Sequence, residues 1–314
     1  MTSQSGHAAV ESSTAPVTLA GGALGFNWLP VFVAQHQGIF ARHGLDLVLK
    51  RMGSVDKATA AVRAGEANLA ITPPEGAIAD KIAGGRLRII AGNANRLPMS
   101  LVARPDIKRI EDLNGCVLGT SSLTEGTSIY TREMLAMHGL IYPGDYEFAV
   151  VGVHPERWQA LQEGRIDAAV QPVPLNFVAI DAGYSNLGEV TDAIPEIVFT
   201  AVIGDADWLG QNDGAIRALF KGLIEATAII YDQSKDAVLV PILMEITRSD
   251  ASYSLRALNY MRRQQMFPPA LEIPDAAFSK TIELMVKADL LDATAEDDAR
   301  STLDMSFLQN TGRL

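Results

Sequence analysis

Residues 61–74 read AVRAGEANLAITPP, and residues 160–174 read ALQEGRIDAAVQPVP. With Gly65 set on Gly164, an offset of 164 − 65 = 99, Ala61 falls on Ala160, Asn68 on Asp167, Ala70 on Ala169, Ile71 on Val170 and Pro73 on Pro172. Each phrase contains the end of an amphipathic helix, a glycine that stops it, a short apolar strand and a proline turn. Two copies of one helix-to-strand step imply two similar α/β units in one chain.

The flanking sequence extends both units in the same order. In the first, VTLA is a strand, GGALGFNW a Gly-rich loop, and PVFVAQHQGIFARHG an amphipathic run opened by Pro30 and stopped at Gly44 by a left-handed cap. LDLVLKRM, DKATAAVRAG and NLAITPP follow as strand, helix and strand. In the second, CVLGT is a strand, SSLTEGTS a hydroxyl-rich loop, and IYTREMLAMHG a helix whose His138-Gly139-Leu140 repeats His43-Gly44-Leu45. EFAVVGV, HPERWQALQEG and IDAAVQPVP complete it. Strands separated by helices give mostly parallel sheets flanked by helices, and such sheets bind ligands at the carboxyl ends of their strands.

SLVAR lies between the units, and FTAVI follows the second, before helical stretches at roughly 212–264 and 274–290. Two strand-bearing connections suggest a two-strand hinge. The chain is expected to leave lobe one near Leu101, to return near Phe199 and to finish with helices on lobe one. The expected division is a flexible leader over 1–16, lobe one over 17–101 plus 199–314, and lobe two over 102–198. A cleft between hinged lobes suits closure on a small molecule.

Composition narrows the classes of function. The chain of 314 residues is 48% hydrophobic and 20% charged, as a globular protein with buried cores requires. It carries 26 basic and 37 acidic residues, net −11, and has no basic cluster interleaved with aromatics, so nucleic acid is not an expected partner. Its single cysteine, Cys116, excludes an internal disulfide and any multi-cysteine metal centre, and neither a metal nor a cofactor is expected. MTSQSGHAAVESSTAP lacks the basic start and apolar run of an export signal, and no stretch reaches the roughly 18 apolar residues of a membrane span. Met1 as the true start therefore implies the cytoplasm, whereas a removed or missed signal implies the periplasm. A monomer is expected.

The strings GFNWLPVFVAQHQGIFARHGLDLVL, AVRAGEANLAI, RPDIKRIEDLNGCVLGT and ALQEGRIDAAVQPVP resemble the nitrate, sulfonate and taurine class of solute-binding proteins, which includes binders of thiamine-precursor pyrimidines. The resemblance spans about residues 17–310. It implies the two-lobed periplasmic-binding-protein fold of the second type, and a small anionic or heteroaromatic ligand delivered to an ABC permease and ATPase. It also implies a ligand role for Asn27 and Trp28, though Trp28 fits a core position equally well.

Several loops supply further candidates. Ser121, Ser122, Thr124, Thr127 and Ser128 crowd the turn into a helix, where hydroxyls and free N–H groups at a positive dipole end would seat an anion. The plainer reading makes Thr124 or Thr127 a helix cap. Thr72 in lobe one, and Gln171 and Pro174 in lobe two, stand at corresponding turns, and Ser54 is a further candidate. Glu75 would need a ligand cation, an amine donor or Arg96 if it faced the cleft, and would carry no information if it faced solvent. His154 is placed to reach the cleft, or else is a solvated or locally bonded loop residue.

Some proteins of this fold are cytoplasmic enzymes, among them sulfinate desulfinases and thiamine-pyrimidine and menaquinone-pathway enzymes. The desulfinases use a cysteine in the first loop, where this chain has Asn27, and Cys116 begins a buried strand without a basic neighbour. An acid–base pair of Glu75 and His154 across the cleft is the remaining enzymatic reading, and a ligand sensor is a third class.

Overall fold

The computed structural model describes residues 16–124 and 126–309. Residues 1–15, which hold nearly all of the expected leader, lie outside the described residues. Among the described residues, ten strands form two five-stranded sheets. They are β1 (Val17–Gly21), β2 (Leu47–Arg51), β3 (Leu69–Thr72), β4 (Leu87–Ala94), β5 (Met99–Ala103), β6 (Val117–Thr120), β7 (Glu147–Val150), β8 (Ala168–Pro172), β9 (Ser185–Glu189) and β10 (Thr200–Asp205). The first sheet is ordered β2-β1-β3-β10-β4 and the second β7-β6-β8-β5-β9.

The two orders are the same arrangement, with β6 to β9 taking the places of β1 to β4. Strands β1, β2 and β3 run parallel, as do β6, β7 and β8. In each sheet the antiparallel member comes from the opposite side of a crossing: β10 lies between β3 and β4, and β5 between β8 and β9. The repeated phrase thus supplies the strand on which each lobe receives its crossing partner.

The repeat also shares its local hydrogen bonding. Asn68 Oδ1 accepts from the Thr18 N–H at 2.7 Å, and Asp167 Oδ2 accepts from the Val117 N–H at 2.7 Å, again 99 residues on. Gly65 and Gly164 both stand at positive φ, +72° and +68°, behind their helices. A side chain tied to the neighbouring strand fixes register, which explains why an Asn and an Asp answer each other in the two phrases.

Three features depart from the sequence expectations. The run 30–44 is two helices, Leu29–His36 and Ile39–Arg42, because Gly38 takes φ +65° between them, while Gly44 caps the second at φ +74° as expected. Leu101 is the middle of β5, which lies wholly in the second sheet, so the crossing falls at 95–98 rather than near 101. There it pairs with the return segment, Ile197 and Phe199 donating to the Asn95 and Ala94 carbonyls at 3.3 and 2.9 Å. The stretch 212–264 is broken into helices Asp213–Tyr231, Asp236–Thr247 and Ala251–Arg263.

These C-terminal helices are not confined to lobe one. From helix Ala251–Arg263, Tyr260 donates to Glu189 at 3.0 Å, and Arg256 lies 4.0 Å from the centre of the Phe177 ring. From helix Asp275–Lys287, Lys280 and Lys287 bond Glu133 at 3.2 and 2.8 Å. Glu189, Phe177 and Glu133 all belong to the second lobe. Among the described residues no helix is long and apolar enough to cross a membrane.

Candidate functional site

A cavity of about 60 Å³ lies between the lobes. The carboxyl ends of the inner parallel strands reach it: Gly22 and Ala23 follow β1, Thr72 and Pro73 end β3, Ser121 follows β6 and Pro172 ends β8. The crossings add Met99 at the start of β5, and Phe199 and Thr200 at the start of β10. Asn93, on β4, holds this floor together, its Nδ2 donating to the Asn27 carbonyl at 3.0 Å and to Thr200 Oγ1 at 2.9 Å.

Helix beginnings ring the same space. Phe26, Asn27 and Trp28 form a single 3-10 turn leading into helix Leu29–His36, and Val55 starts helix Val55–Arg63. Gly126 and Thr127 open helix Thr127–Ala136, and Val153 and His154 open helix His154–Gln162. The first N–H groups of a helix lack internal partners and carry its positive dipole end, so convergent starts favour negative charge.

Arg157, one turn into helix His154–Gln162, sharpens the electrostatics. It is 3% exposed and lines the cavity, and its Nε donates to the Val170 carbonyl at 3.2 Å. Burial lowers its pKa to about 10, which leaves it a cation at neutral pH. Among the described residues no carboxylate forms an ion pair with it, and none lines the cavity. Its neighbour Glu156 turns away to Arg51, at 2.9 Å. Half-buried His154 is held neutral, its pKa lowered to about 3 by desolvation and then by the Arg157 and Arg51 charges. The imidazole packs edge-on to Phe26 and over Gly25, where a Cβ would come within 2.5 Å of the ring. A buried guanidinium without a counter-ion is costly unless an anion completes it.

Of the residues expected to bind ligand, Asn27, Trp28, Thr72, Ser121, Thr127 and His154 line this cavity. Trp28 is 1% exposed, as a core position requires, and is also part of the wall. The other candidates lie elsewhere. Ser54 caps a helix, accepting from the Lys57 N–H at 3.1 Å. Ser122 donates to Asp56 of lobe one at 2.9 Å, Thr124 is exposed, and the helix that follows is capped by neither Thr124 nor Thr127. Gln171 is fully buried away from the cavity, with neither amide atom bonded, and Pro174 borders a larger outer cavity.

Glu75 takes a third place, neither cleft wall nor solvent. It is 1% exposed at the start of helix Glu75–Ile82, and the Tyr130 hydroxyl of lobe two donates to its Oε1 at 3.5 Å while Oε2 has no partner. Burial raises its pKa to about 7 against the opposing pull of its own N–H, Tyr130 and the Gly126 backbone. Arg96, its expected counter-ion, instead pairs with Glu196 at 3.6 Å and donates to the Pro195 carbonyl. Cys116 is half-buried just ahead of β6, outside the cavity, and burial and the Asp167 charge push its thiol pKa up. Arg157 was not foreseen, although its spacing of three from His154 at a helix start puts both on one face.

Solved structures share this architecture. The ligand-binding component of an ABC-type import system from Staphylococcus aureus, with zinc bound, superposes with a TM-score of 0.79 at 15% identity, over 96% of this chain and 100% of that one. The alkanesulfonate-binding protein SsuA from Xanthomonas axonopodis pv. citri, bound to MOPS, gives 0.76 at 13%, over 93% and 99%. The periplasmic nitrate-binding protein NrtA from Synechocystis PCC 6803 gives 0.77 at 14%, over 96% and 89%. Among the described residues no cluster of His, Cys, Asp and Glu could hold a metal ion. No curated protein sequence matches the chain. The family model described as NMT1/THI5 like matches residues 25–237, more than half of the 314, and the chain belongs to that family.

Proposed function

We propose that this protein captures a small anion between its lobes and serves as the substrate-binding component of an ABC importer, acting in the periplasm. The observation that carries the reading is buried Arg157, without a carboxylate partner, on the wall of a cavity that has no carboxylate among its described lining residues. Helix starts at Val55, Thr127 and His154 add positive potential, and the Ser121, Thr72 and Thr127 hydroxyls offer donors to the remaining oxygens of an acid. Neutral His154 would donate or accept without adding charge. Two of the structural neighbours are an alkanesulfonate-binding and a nitrate-binding protein, which agrees with such a seat. The cavity gives covalent catalysis no cysteine, since Cys116 lies outside it with a raised thiol pKa.

The test is a thermal-shift panel of nitrate, short sulfonates, short carboxylates and uncharged heterocycles. A ligand at 100 times its dissociation constant stabilises by about 2.7 kcal/mol. Anions should raise the midpoint and uncharged heterocycles should not. Arg157→Met should weaken the best anion by roughly tenfold to a hundredfold, the worth of a charged hydrogen bond, without lowering the unliganded midpoint. A panel in which only neutral compounds stabilise, or an Arg157→Met chain with undiminished anion affinity, would overturn the reading.

A further inference from the structure

We infer that Glu75 is a proton-binding site completed when the lobes close, so that the protein captures its anion together with a proton. The inference rests on the anion reading above, because it needs a ligand that draws the lobes together, and it adds a second binding event outside the cleft cavity. Glu75 belongs to lobe one, just beyond the end of β3, and the groups that cover it belong to lobe two: the Tyr130 hydroxyl at 3.5 Å and the Gly126 backbone. Gly126 also faces Pro73, since a Cβ there would lie 3.6 Å from Pro73 Cγ. Thr72, Pro73, Gly126 and Thr127 line the anion cavity, so the seam at Glu75 is built on the same two turns as the anion seat.

In the closed seam an ionised Glu75 would lack both water and a counter-ion, being 1% exposed with Oε2 unpartnered. Among the described residues, Tyr130 is the titratable group that reaches it. The charged side chains of the elements packed around it are directed elsewhere. Arg63 pairs with Asp80, Asp56 accepts from Ser122, Arg88 bonds the Leu87 carbonyl and Arg300 pairs with Asp275 and Glu296. Lys57 is exposed, and Lys81 lies in the last turn of the helix that Glu75 begins. On the helix of Tyr130, Arg132 donates to the Ala288 and Leu123 carbonyls while Glu133 is held by Lys280 and Lys287. When the lobes part, Tyr130 and Gly126 leave with lobe two and water reaches the carboxylate. The pKa is then the ordinary 4.5, against about 7 in the closed seam. A group whose pKa is raised by closure favours the closed form at low pH. Its contribution is complete below about pH 4.5 and is lost as pH rises through 7. The titratable groups of the cavity wall stay outside that window, His154 at about 3 and Arg157 at about 10.

The experiment is calorimetry on the full chain with nitrate and with ethanesulfonate, both fully ionised between pH 6 and 8, in two amine buffers of unlike ionisation enthalpy. Binding should take up about 0.9 proton at pH 6 and about 0.1 at pH 8, and affinity should fall roughly tenfold between them. Glu75→Gln puts an uncharged amide where the closed form holds the protonated acid. It should bind with no proton uptake and with equal affinity at the two pH values, and more tightly than the parent at pH 8. A side chain that served only for packing would move none of these readouts. Anion binding without proton uptake by the parent, or uptake that persists in Glu75→Gln, overturns the proton site and leaves the anion seat standing. Absence of binding by both anions at both pH values overturns the two together.

Discussion

Glu75 is a carboxylate buried beneath the hydroxyl of Tyr130, and that burial couples folding to its proton. A carboxylate next to a proline turn at a strand end reads as cleft or solvent, because nothing local reveals that a tyrosine 55 residues later will close over it. With its pKa raised from 4.5 to about 7, the folded chain holds this proton more tightly than the unfolded chain does. The stabilisation is therefore complete below about pH 4.5 and is lost as pH rises through 7, at most about 3 kcal/mol in all. Glu75→Gln keeps an acceptor for Tyr130 and has no charge to bury. Urea denaturation should find the variant no more stable than the parent at pH 5 and about 3 kcal/mol more stable at pH 8, and parallel pH profiles would refute the assignment. Arg157 failed in the opposite sense. In HPERWQALQEG it reads as one more charge on a solvated helix, and only the tertiary arrangement shows that the helix directs it inward.

At the scale of elements the sequence was more informative, since period, glycine stops and proline turns are local signals. The strands and helices of the repeat lie where their spacing put them, and Asn68 and Asp167 hold the same register bond in both sheets. Strand β9 and the helices Glu75–Ile82 and Leu175–Asp181 were not read, because SNLGE lacks an apolar face and both helices begin inside a proline turn. The placement of β5 and β10 was also beyond local pattern, because pairing with the opposite lobe's third strand is a tertiary choice. Gly25 tests one such non-local contact. Its φ of −94° is open to any residue, so the only obstacle to a side chain is the His154 ring at 2.5 Å. Gly25→Ala should destabilise by about 1–3 kcal/mol through overpacking, and His154→Ala in the same chain should recover most of that loss. Additive effects in the double mutant would place the strain elsewhere.

For the molecule as a whole, the lobes are held together at more points than the two crossings. Arg51 meets Glu156 beside the outer cavity, Ser122 meets Asp56 near the cleft, and Glu133 is gripped by Lys280 and Lys287 from the C-terminal helices. Such contacts form part of the closed state's free energy, and a ligand that requires closure has an apparent affinity scaled by the fraction of closed molecules. Glu133 lies outside the cleft cavity and is 13% exposed, so its pairs are less screened than ordinary surface ones. Glu133→Gln should therefore raise the dissociation constant of the best anion by roughly twofold to fivefold, the equivalent of about 0.5–1 kcal/mol. Glu283→Gln is the control, because Glu283 bonds the same two lysines from within their own helix and ties nothing to lobe two. Calorimetry of both variants separates the possibilities. A loss confined to Glu133→Gln means that closure is shared between ligand and interlobe contacts, whereas equal affinities mean that the ligand alone sets the closed population.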